Sequence, residues 1–557
     1  MNHLILGALL LSLTSTNIFA EELDPAEIML GERLFLETRF AQFFAANINK
    51  QGDVNKPLLK GDPVLTKTTR FLDKPPYQTP FTDGPYAGQS MNCRSCHLVD
   101  EHVEQSELGM RSYSDYASRS PLSDRGDGML VTVRNSPALV DASLPRRDFL
   151  LHFDGEFPSL AHLVRGTLTG RNLGWLANEQ DIAIQHICKV VREDDGKSEL
   201  AEEFGGFSYS EAFAGTKADG APIENEYLIP EELKIDVQET SCEKVFEAAA
   251  NFIAIYTEDL VFAEDESIIS PYDLFLKTNN LPSQANDNES DLDYSKRLIQ
   301  EIEQLHNQEK LQFVEKNPNT EDGKFQFHNQ PFVFGAKQLA GMKLFFTQES
   351  NEKTSAGNCI ACHAAPHFTD FSFHNTGITQ VEYDALHGQN AFNNLKIPNL
   401  SQREKQSELY LPATQQNPER QGLFRSVPTQ QNAMKTDLGV WNILFNRDYF
   451  LPQESLYNLI CIKDGIVSCK SRDDTLQKSI ARFKTPGLRN LGHSAPYMHN
   501  GQISDLHAVM SFYMAASINT RDGQFRNPDE DIAKIDIKPN DLDPLTLFLI
   551  SLYEDYN

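Results

Sequence analysis

The sequence predicts a mainly α-helical protein made of two similar domains that face each other, with few short strands. Apolar residues recur at three- and four-residue spacing in the long apolar segments, which is typical of amphipathic helices, and strand signals are sparse. A short motif also recurs: residues 31–35 (GERLF) return as residues 341–345 (GMKLF), and each copy precedes a cysteine pair. Such internal similarity indicates a repeated structural unit.

Composition limits the classes of protein that this chain can be. Of its 557 residues 40% are hydrophobic, and 79 acidic against 50 basic side chains give a net charge of −29. A chain of this length and apolar content predicts about two to four folded domains. The negative charge argues against binding to nucleic acid or an anionic membrane surface, since both rely on clustered Lys and Arg.

Residues 1–20 predict a secretory signal peptide. They contain no charged side chain, are apolar from Leu4 to Leu13 apart from two small residues, and end at Ala20. An uncleaved anchor is the alternative. No later segment has the ~18 consecutive apolar residues that a membrane span requires. We therefore expect a protein that is not membrane-spanning and works in the periplasm.

The remaining chain divides into three predicted parts. An N-terminal domain over residues 21–262 begins with the first motif helix and closes with an amphipathic helix over residues 243–260. Residues 263–333 are polar and predict a linker insertion with one surface helix at residues 293–315. A C-terminal domain over residues 334–557 ends in a helix that begins at Asp543-Pro544, a typical helix start.

Two five-residue signatures carry the main chemical signal. Residues 93–97 read CRSCH and residues 359–363 read CIACH, and both fit C-x-x-C-H, the attachment motif of c-type haem. The two thiols bind the vinyl groups of one porphyrin covalently, and the adjacent histidine can then ligate the iron. Redox disulfides or a shared zinc site are the alternatives. The motifs predict two covalently bound haem c groups, with the attachment residues Cys93, Cys96, His97, Cys359, Cys362 and His363.

The other four cysteines predict two disulfides. In an oxidising compartment Cys188, Cys242, Cys461 and Cys469 should pair, and three pairings are possible. Proximity favours Cys461 with Cys469, which leaves Cys188 with Cys242. Buried free thiols are the alternative.

The chain resembles the bacterial di-haem cytochrome c peroxidases and the related MauG-type oxidases. The resemblance rests on both haem motifs and on five further blocks, which read LGERLF at residues 30–35, RNSP at 134–137, FDG at 153–155, FKTPGLRN at 483–490 and APYMHNG at 495–501. It implies two cytochrome c-like haem domains packed face to face. It also implies that His97 holds the haem that reacts with peroxide and that His363 holds the haem that transfers electrons.

The resemblance implies further ligands. A calcium ion would lie between the domains, bound by the Asn135 side chain and the carbonyls of Ser494 and Pro496; oxygen ligands suit such a hard cation. The alternative is that Asn135 caps a turn. At the position where peroxidases ligate the second haem with Met, this chain has Tyr513, as MauG-like proteins do. Helical periodicity alone leaves Met510 and Met514 open as ligands.

Three positions depart from the peroxidase pattern. Asp127 stands where the family has a distal histidine, Phe153 replaces a tryptophan between the haems, and Leu173 falls near the distal glutamate. Cleavage of peroxide needs a group that moves a proton between its oxygens. Three nearby residues are substitute candidates, each with a surface or supporting role as the alternative, namely His152, Glu156 and His162.

The predicted function is a periplasmic di-haem oxidoreductase that reduces hydrogen peroxide, or uses it to oxidise a partner, at the N-terminal haem. Electrons would pass through the C-terminal haem from a small cytochrome c, a cupredoxin or an oxidisable protein substrate. The alternatives are a non-catalytic electron carrier and an oxygenase on the same scaffold, as in di-haem rubber oxygenases. The departures tilt the prediction toward modification of a partner protein.

Overall fold

The computed structural model describes residues 24–48, 51–58, 60–64, 90–97, 119–137, 139, 142, 149–261, 269–325, 330–351, 354–463, 465–489, 491 and 495–554. The predicted signal peptide, residues 1–20, lies outside them. The described chain is mainly helical with a few two-residue strands, which confirms the predicted fold class. None of the described helices has both the length and the apolar character needed to cross a membrane.

The described residues of the first part of the chain form seven α-helices. They are α1 (Ala26–Leu36), α2 (Gln42–Asn47), α3 (Leu160–Leu168), α4 (Gln180–Glu193), α5 (Glu199–Glu203), α6 (Tyr209–Ala214) and α7 (Cys242–Asp259). Buried side chains of α1, α3, α4 and α7 share one hydrophobic core, and α7 matches the amphipathic helix predicted at residues 243–260.

A second core is built from helices that flank the second cysteine motif. They are α8 (Pro271–Thr278), α9 (Asp291–Asn307), α10 (Ala336–Phe346), α17 (Leu506–Arg521) and α18 (Leu542–Ile550). The last helix begins one residue before the predicted Asp543 and ends before the chain does.

The internal repeat marks equivalent helix crossings in the two cores. Gly31 of α1 lies against the backbone carbonyl of Phe252 in α7, so closely that a β-carbon would collide with it. Gly341 of α10 lies in the same way against the carbonyl of Pro544 in α18. Each glycine therefore permits a backbone-to-backbone approach that a larger residue would prevent.

The segment over residues 263–333 differs from the predicted linker with a surface helix. Its helices α8 and α9 bury Tyr272, Phe275, Tyr294 and Leu298 in the same core as α10 and α18. Helix α9 also ends at Asn307, before the expected residue 315. The apolar residues of α9 form one buried stripe on a helix that is otherwise highly charged. Because charged and polar residues are more numerous in this helix, the sequence pattern indicates a surface helix. The domain boundaries themselves stay a prediction.

An additional helical segment separates the second cysteine motif from α17. It contains α11 (Ile378–His387), α12 (Ala391–Asn394), α13 (Leu400–Lys405), α14 (Ser407–Tyr410), α15 (Gln453–Cys461) and α16 (Arg472–Lys478). Strands β1 (Phe373–His374) and β4 (Phe483–Lys484) pair antiparallel, as do β2 (Ile462–Lys463) and β3 (Ile466–Val467). These elements surround two smaller hydrophobic clusters.

Both favoured disulfides are present. Cys188 in α4 bonds to Cys242 at the start of α7, and Cys461 bonds to Cys469 around the β2–β3 hairpin. The first links two helices of the N-terminal core, and the second closes a short loop.

Candidate functional site

One large cavity brings both cysteine motifs together. Its volume is about 1580 Å³, and its wall includes Cys93, Cys96 and His97 as well as Cys359, Cys362 and His363. A pocket for a single drug-sized ligand is about 300–1,000 Å³. The cavity therefore has room for more than one such group, and its wall is formed from residues along most of the chain.

The first motif forms a short 3₁₀ turn, Cys93–Ser95, that is fixed at its start by Asn92. The Asn92 side chain accepts a hydrogen bond from the Ser95 backbone N–H and donates one to the Leu36 carbonyl at the end of α1. The turn thus places His97 at the cavity wall, where its Nδ1 lies 3.0 Å from the Pro137 carbonyl. With Nδ1 donating to that carbonyl, Nε2 is the nitrogen available to bind a metal.

The second motif repeats this arrangement. Cys359–Ala361 forms the same kind of turn, preceded by Asn358 in the left-handed region. The His363 Nδ1 lies 2.8 Å from the carbonyl of Phe368. Burial lowers the pKa of His363 and lowers that of His97 to about 4, so both imidazoles are neutral, which is the form that ligates iron.

The cysteines of the two motifs differ from the other four. All four motif thiols are free of disulfides, whereas the remaining cysteines are paired. Burial raises the pKa of Cys93 and Cys359 to about 12, which disfavours the thiolate that zinc binding or disulfide exchange requires. Among the described residues no group of potential metal ligands contains two cysteines. Each motif therefore presents two free, neutral thiols and a histidine held by a backbone carbonyl at the wall of an apolar cavity. This arrangement fits covalent haem attachment through C-x-x-C-H.

The predicted sixth ligand of the second haem faces the same cavity. Tyr513 projects from α17, and burial together with the nearby Cys362 and Cys359 raises its pKa. Met510, one turn earlier, also lines the cavity and is buried. Met514, also in α17, packs against the second core and is not part of the cavity wall. The geometry thus leaves Tyr513 and Met510 as candidates.

The predicted calcium residues are partly brought together. The side-chain amide of Asn135 lies in close contact with the Pro496 carbonyl, and the Asn135 backbone N–H donates to the His499 carbonyl at 2.7 Å. Ser494 lies outside the described residues. As placed, Asn135 Nδ2 donates to Pro496, while Oδ1 accepts from the Ser136 N–H. A rotation of the Asn135 amide by 180° would exchange the places of Oδ1 and Nδ2. Only that rotated orientation offers an oxygen to a cation beside Pro496.

Two of the three substitute acid–base candidates line the cavity. His152 Nδ1 lies 3.1 Å from a Glu156 carboxylate oxygen, and both residues form part of the wall. Burial alone would raise the pKa of Glu156, but Arg425 at 2.5 Å and His152 lower it overall, so Glu156 is ionised. His162 is exposed and bonds to Ser159 instead. Asp127 pairs with Arg171 at 2.6 Å, and Leu173 is buried.

A charged network joins the first part of the chain to the last. Arg134 contacts Asp154 at 2.7 Å and Asp437 at 2.5 Å, and Arg425 contacts Asp154 at 3.3 Å as well as Glu156. Sequence reasoning singled out the blocks that contain Arg134 and Asp154 but missed Asp437 and Arg425. No local pattern could reveal those two, because their partners lie hundreds of positions away in the sequence.

Phe153 belongs to an aromatic stack at the same junction. Its ring centroid is 6.4 Å from that of His499, which stacks on Phe483 at 3.5 Å with the rings 9° from parallel. All three residues line the cavity. Residue 153 thus contributes a ring without an N–H group, since Phe offers no hydrogen-bond donor.

No family model matches the chain. Two cytochrome c peroxidases of Denitromonas iodatirespirans are similar to it: IdrP2 is 27% identical over 160 residues, and IdrP1 is 47% identical over 38 residues. These matches span 29% and 7% of this chain, and 29% and 10% of the relatives' own lengths.

Two solved structures cover 95% of this chain at low identity. The diheme peroxidase BthA from Burkholderia thailandensis has 15% identity, a TM-score of 0.44 and 86% of its own length covered. A MauG-like protein associated with microbial copper homeostasis has 13% identity, a TM-score of 0.41 and 90% covered. In its two haem motifs, its shared sequence blocks and these peroxidase matches, the chain is similar to the bacterial di-haem cytochrome c peroxidases. It spans less than a third of the length of the curated relatives that it matches.

Proposed function

We propose that this protein is a periplasmic di-haem oxidoreductase that reacts with hydrogen peroxide at the haem held by His97 and transfers electrons through the haem held by His363. The single observation that carries the proposal is one cavity lined by two C-x-x-C-H motifs, each with free thiols and a histidine fixed through Nδ1. Similarity to cytochrome c peroxidases supports hydrogen peroxide as the oxidant.

When bound, the two haems supply the redox chemistry, in which hydrogen peroxide takes up two electrons and two protons and forms two water molecules. The chain's own residues hold the irons and manage the protons. His97 and His363 present neutral imidazoles to the metal, oriented by backbone carbonyls. His152 is the proposed proton-transfer group, since it lines the cavity and the ionised Glu156 fixes its orientation.

The replaced residues favour oxidation of a partner over rapid removal of peroxide. Asp127, paired with Arg171, does not supply the imidazole of the peroxidase pattern, and the buried Leu173 offers no carboxylate. A Tyr513 ligand would stabilise the oxidised state of the second haem relative to a Met ligand. We therefore propose that electrons come from an oxidisable protein side chain or from a donor such as a small cytochrome c or cupredoxin.

We also propose a calcium ion beside Asn135 and the Pro496 carbonyl, with the carbonyl of Ser494 as a third ligand. The close contact of Asn135 with Pro496 across the chain supports it. Calcium titration of chelator-treated protein checks this proposal: the thermal midpoint should rise with calcium in the wild type and stay constant in Asn135→Ala. An equal rise in both proteins would refute it.

The main test uses the protein with both haems bound. It is mixed with hydrogen peroxide and a reduced small cytochrome c, and donor oxidation is followed by absorbance. We expect two donor molecules oxidised per peroxide, complete loss in His97→Gly, and retention in the control His162→Gly, because His162 is exposed outside the cavity wall.

The same mixing experiment separates the alternatives. An electron carrier would show no donor oxidation by peroxide and no high-spin ferric band. An oxygenase would consume dioxygen with an apolar substrate and leave peroxide unused. Either result would refute the proposed reaction.

A further inference from the structure

The cations that line the cavity fall into two groups. Every arginine that the structure describes in the cavity wall pairs with a carboxylate at 2.5–2.7 Å, for example Arg489 with Asp273 and Arg420 with Asp448. The two cavity-lining lysines, Lys435 and Lys484, pair with no carboxylate in the part of the chain that the structure describes. These arginines are already satisfied, so a lysine is the cation left to receive an additional anion.

Lys484 lies in an apolar setting that does not suit an isolated charge. Its Nζ is 4.1 Å from the ring centroid of Phe149 and 5.9 Å from that of Phe371. Burial lowers the pKa of Lys484 to about 7. Aromatic faces attract a cation, but they offset only part of the cost of removing it from water. A carboxylate beside Nζ would supply the missing compensation.

The backbone N–H of Lys484 donates to the Phe153 carbonyl at 2.8 Å, and the strand that contains Lys484 pairs with the segment that follows the second motif. Strand β4 pairs with β1, which follows His363 by ten residues, and Lys484 is opposite Phe373. The adjacent Thr485 donates its N–H to Ser372 and accepts from the Thr369 hydroxyl. The Pro486 backbone lies beside the His363 imidazole. Lys484 is therefore placed two residues from a segment that contacts the proposed iron ligand.

We propose that Lys484 is a carboxylate-binding residue and that it pairs with a propionate of the haem held by His363. The inference rests on the proposed function, because it requires that haem. A haem bound in the cavity brings two propionate groups with it. One of these would be the anion for Lys484 that no described side chain supplies. A flexible ammonium group adapts to such a partner as a point charge.

The experiment measures the midpoint potentials of both haems in the wild type, Lys484→Met and Lys484→Arg. The matched control is Lys435→Met, which removes a second unpaired lysine of the cavity wall. Haem content per chain is measured first. A wild type without haem would refute the proposed function, whereas the role of Lys484 is tested only by the potentials of protein that contains both haems. Where Lys484→Met loads haem incompletely, Lys484→Gln takes its place.

We expect Lys484→Met to favour the oxidised state of the second haem, because a positive charge near it is lost. The equilibrium constant for its reduction should fall at least tenfold, which is about 59 mV for a one-electron couple. Lys484→Arg and Lys435→Met should remain near the wild type. Unchanged potentials in Lys484→Met, or a shift confined to the haem of His97, would overturn the assignment.

A second arm distinguishes the propionate from a free anion. Acetate and inorganic phosphate are added separately to the wild type while the potential is followed at constant ionic strength. If a propionate occupies the site, neither anion changes the potential. A saturable shift that Lys484→Met lacks would show that Lys484 binds a free anion, and would overturn the propionate assignment.

Discussion

Arg425 lies 2.5 Å from Glu156 and joins a segment near the first haem motif to one that follows the second. Both side chains are largely buried, with 18% and 10% of their surface exposed. Asp154 and Arg134 extend this pair into a network, so the junction of the two halves is built from charges in close contact. Such a junction holds its geometry only while every partner is present, since a buried charge without its partner is costly.

Glu156→Gln should therefore destabilise the protein. Of its carboxylate partners among the described residues, Arg425 would keep only Asp154 at 3.3 Å. We therefore expect a loss of about 2–3 kcal/mol, below the roughly 3–5 kcal/mol for complete loss of a buried partner. Urea unfolding of the protein with both haems bound measures this, with Glu232→Gln as the exposed control. Equal stability of the two variants would show that the network contributes nothing.

The same pair predicts a pH dependence. The pKa of Glu156 is lower in the folded state than its unfolded value of about 4.3, so its contribution is complete above that pH. It is lost as pH falls below about 4 toward the folded pKa. The stability difference between wild type and Glu156→Gln should accordingly shrink on acidification. A difference that grows below pH 4 would contradict the assigned direction.

The glycines of the internal repeat give a third prediction. Gly31→Ala and Gly341→Ala each force a β-carbon against a backbone carbonyl, of Phe252 and of Pro544 respectively. We expect each change to cost about 1–3 kcal/mol, the usual range for overpacking. The control is Gly335→Ala at the start of α10, where the nearest atoms are 3.6 Å away. Thermal unfolding should rank both repeat variants well below this control.

The repeat also shows what the sequence could predict. Positions 31 and 341 were recognisable because a close helix crossing restricts the residue there to glycine. The haem motifs were recognisable because a single porphyrin needs both thiols and the histidine at fixed spacing. The disulfides followed from proximity along the chain. The haem motifs and the Cys461–Cys469 disulfide involve residues that are close in sequence, and the two glycines were recognisable because the short motif around them occurs twice.

The features that the sequence did not reveal depend on distant contacts. Helix α9 was expected on the surface because charges dominate it, yet Tyr294, Leu298 and Ile302 are buried against helices that follow much later. Arg425 and Asp437 acquire their role only when the fold brings them to Glu156 and Arg134. A single sequence contains no signal for such pairs, since neither residue differs from an ordinary surface charge until its partner is known.

The two disulfides should contribute unequally to stability. Cys188–Cys242 closes a loop of 54 residues and Cys461–Cys469 one of 8. Loop-closure entropy gives roughly 4 kcal/mol for the first and roughly 2.5 kcal/mol for the second. Chemical unfolding of two double variants, each with both cysteines of one disulfide changed to Ser, tests which disulfide contributes more to the free energy of unfolding. A larger loss from the Cys461–Cys469 variant would show that local packing, and not loop length, decides their contributions.

The final prediction concerns the ligand of the second haem. If Tyr513 ligates that iron, Tyr513→Met should raise its midpoint potential by on the order of 0.1 V, within the roughly 0.8 V range that axial ligands span. Tyr513→Phe should open the coordination position and produce a high-spin ferric band. Met510→Leu tests the competing ligand on the same helix, and Met514→Leu, outside the cavity wall, is the matched control. Removal of the true ligand changes the spin state of the iron. A high-spin band in Met510→Leu, with unchanged spectra for both Tyr513 variants, would therefore identify Met510 as the ligand of the second haem.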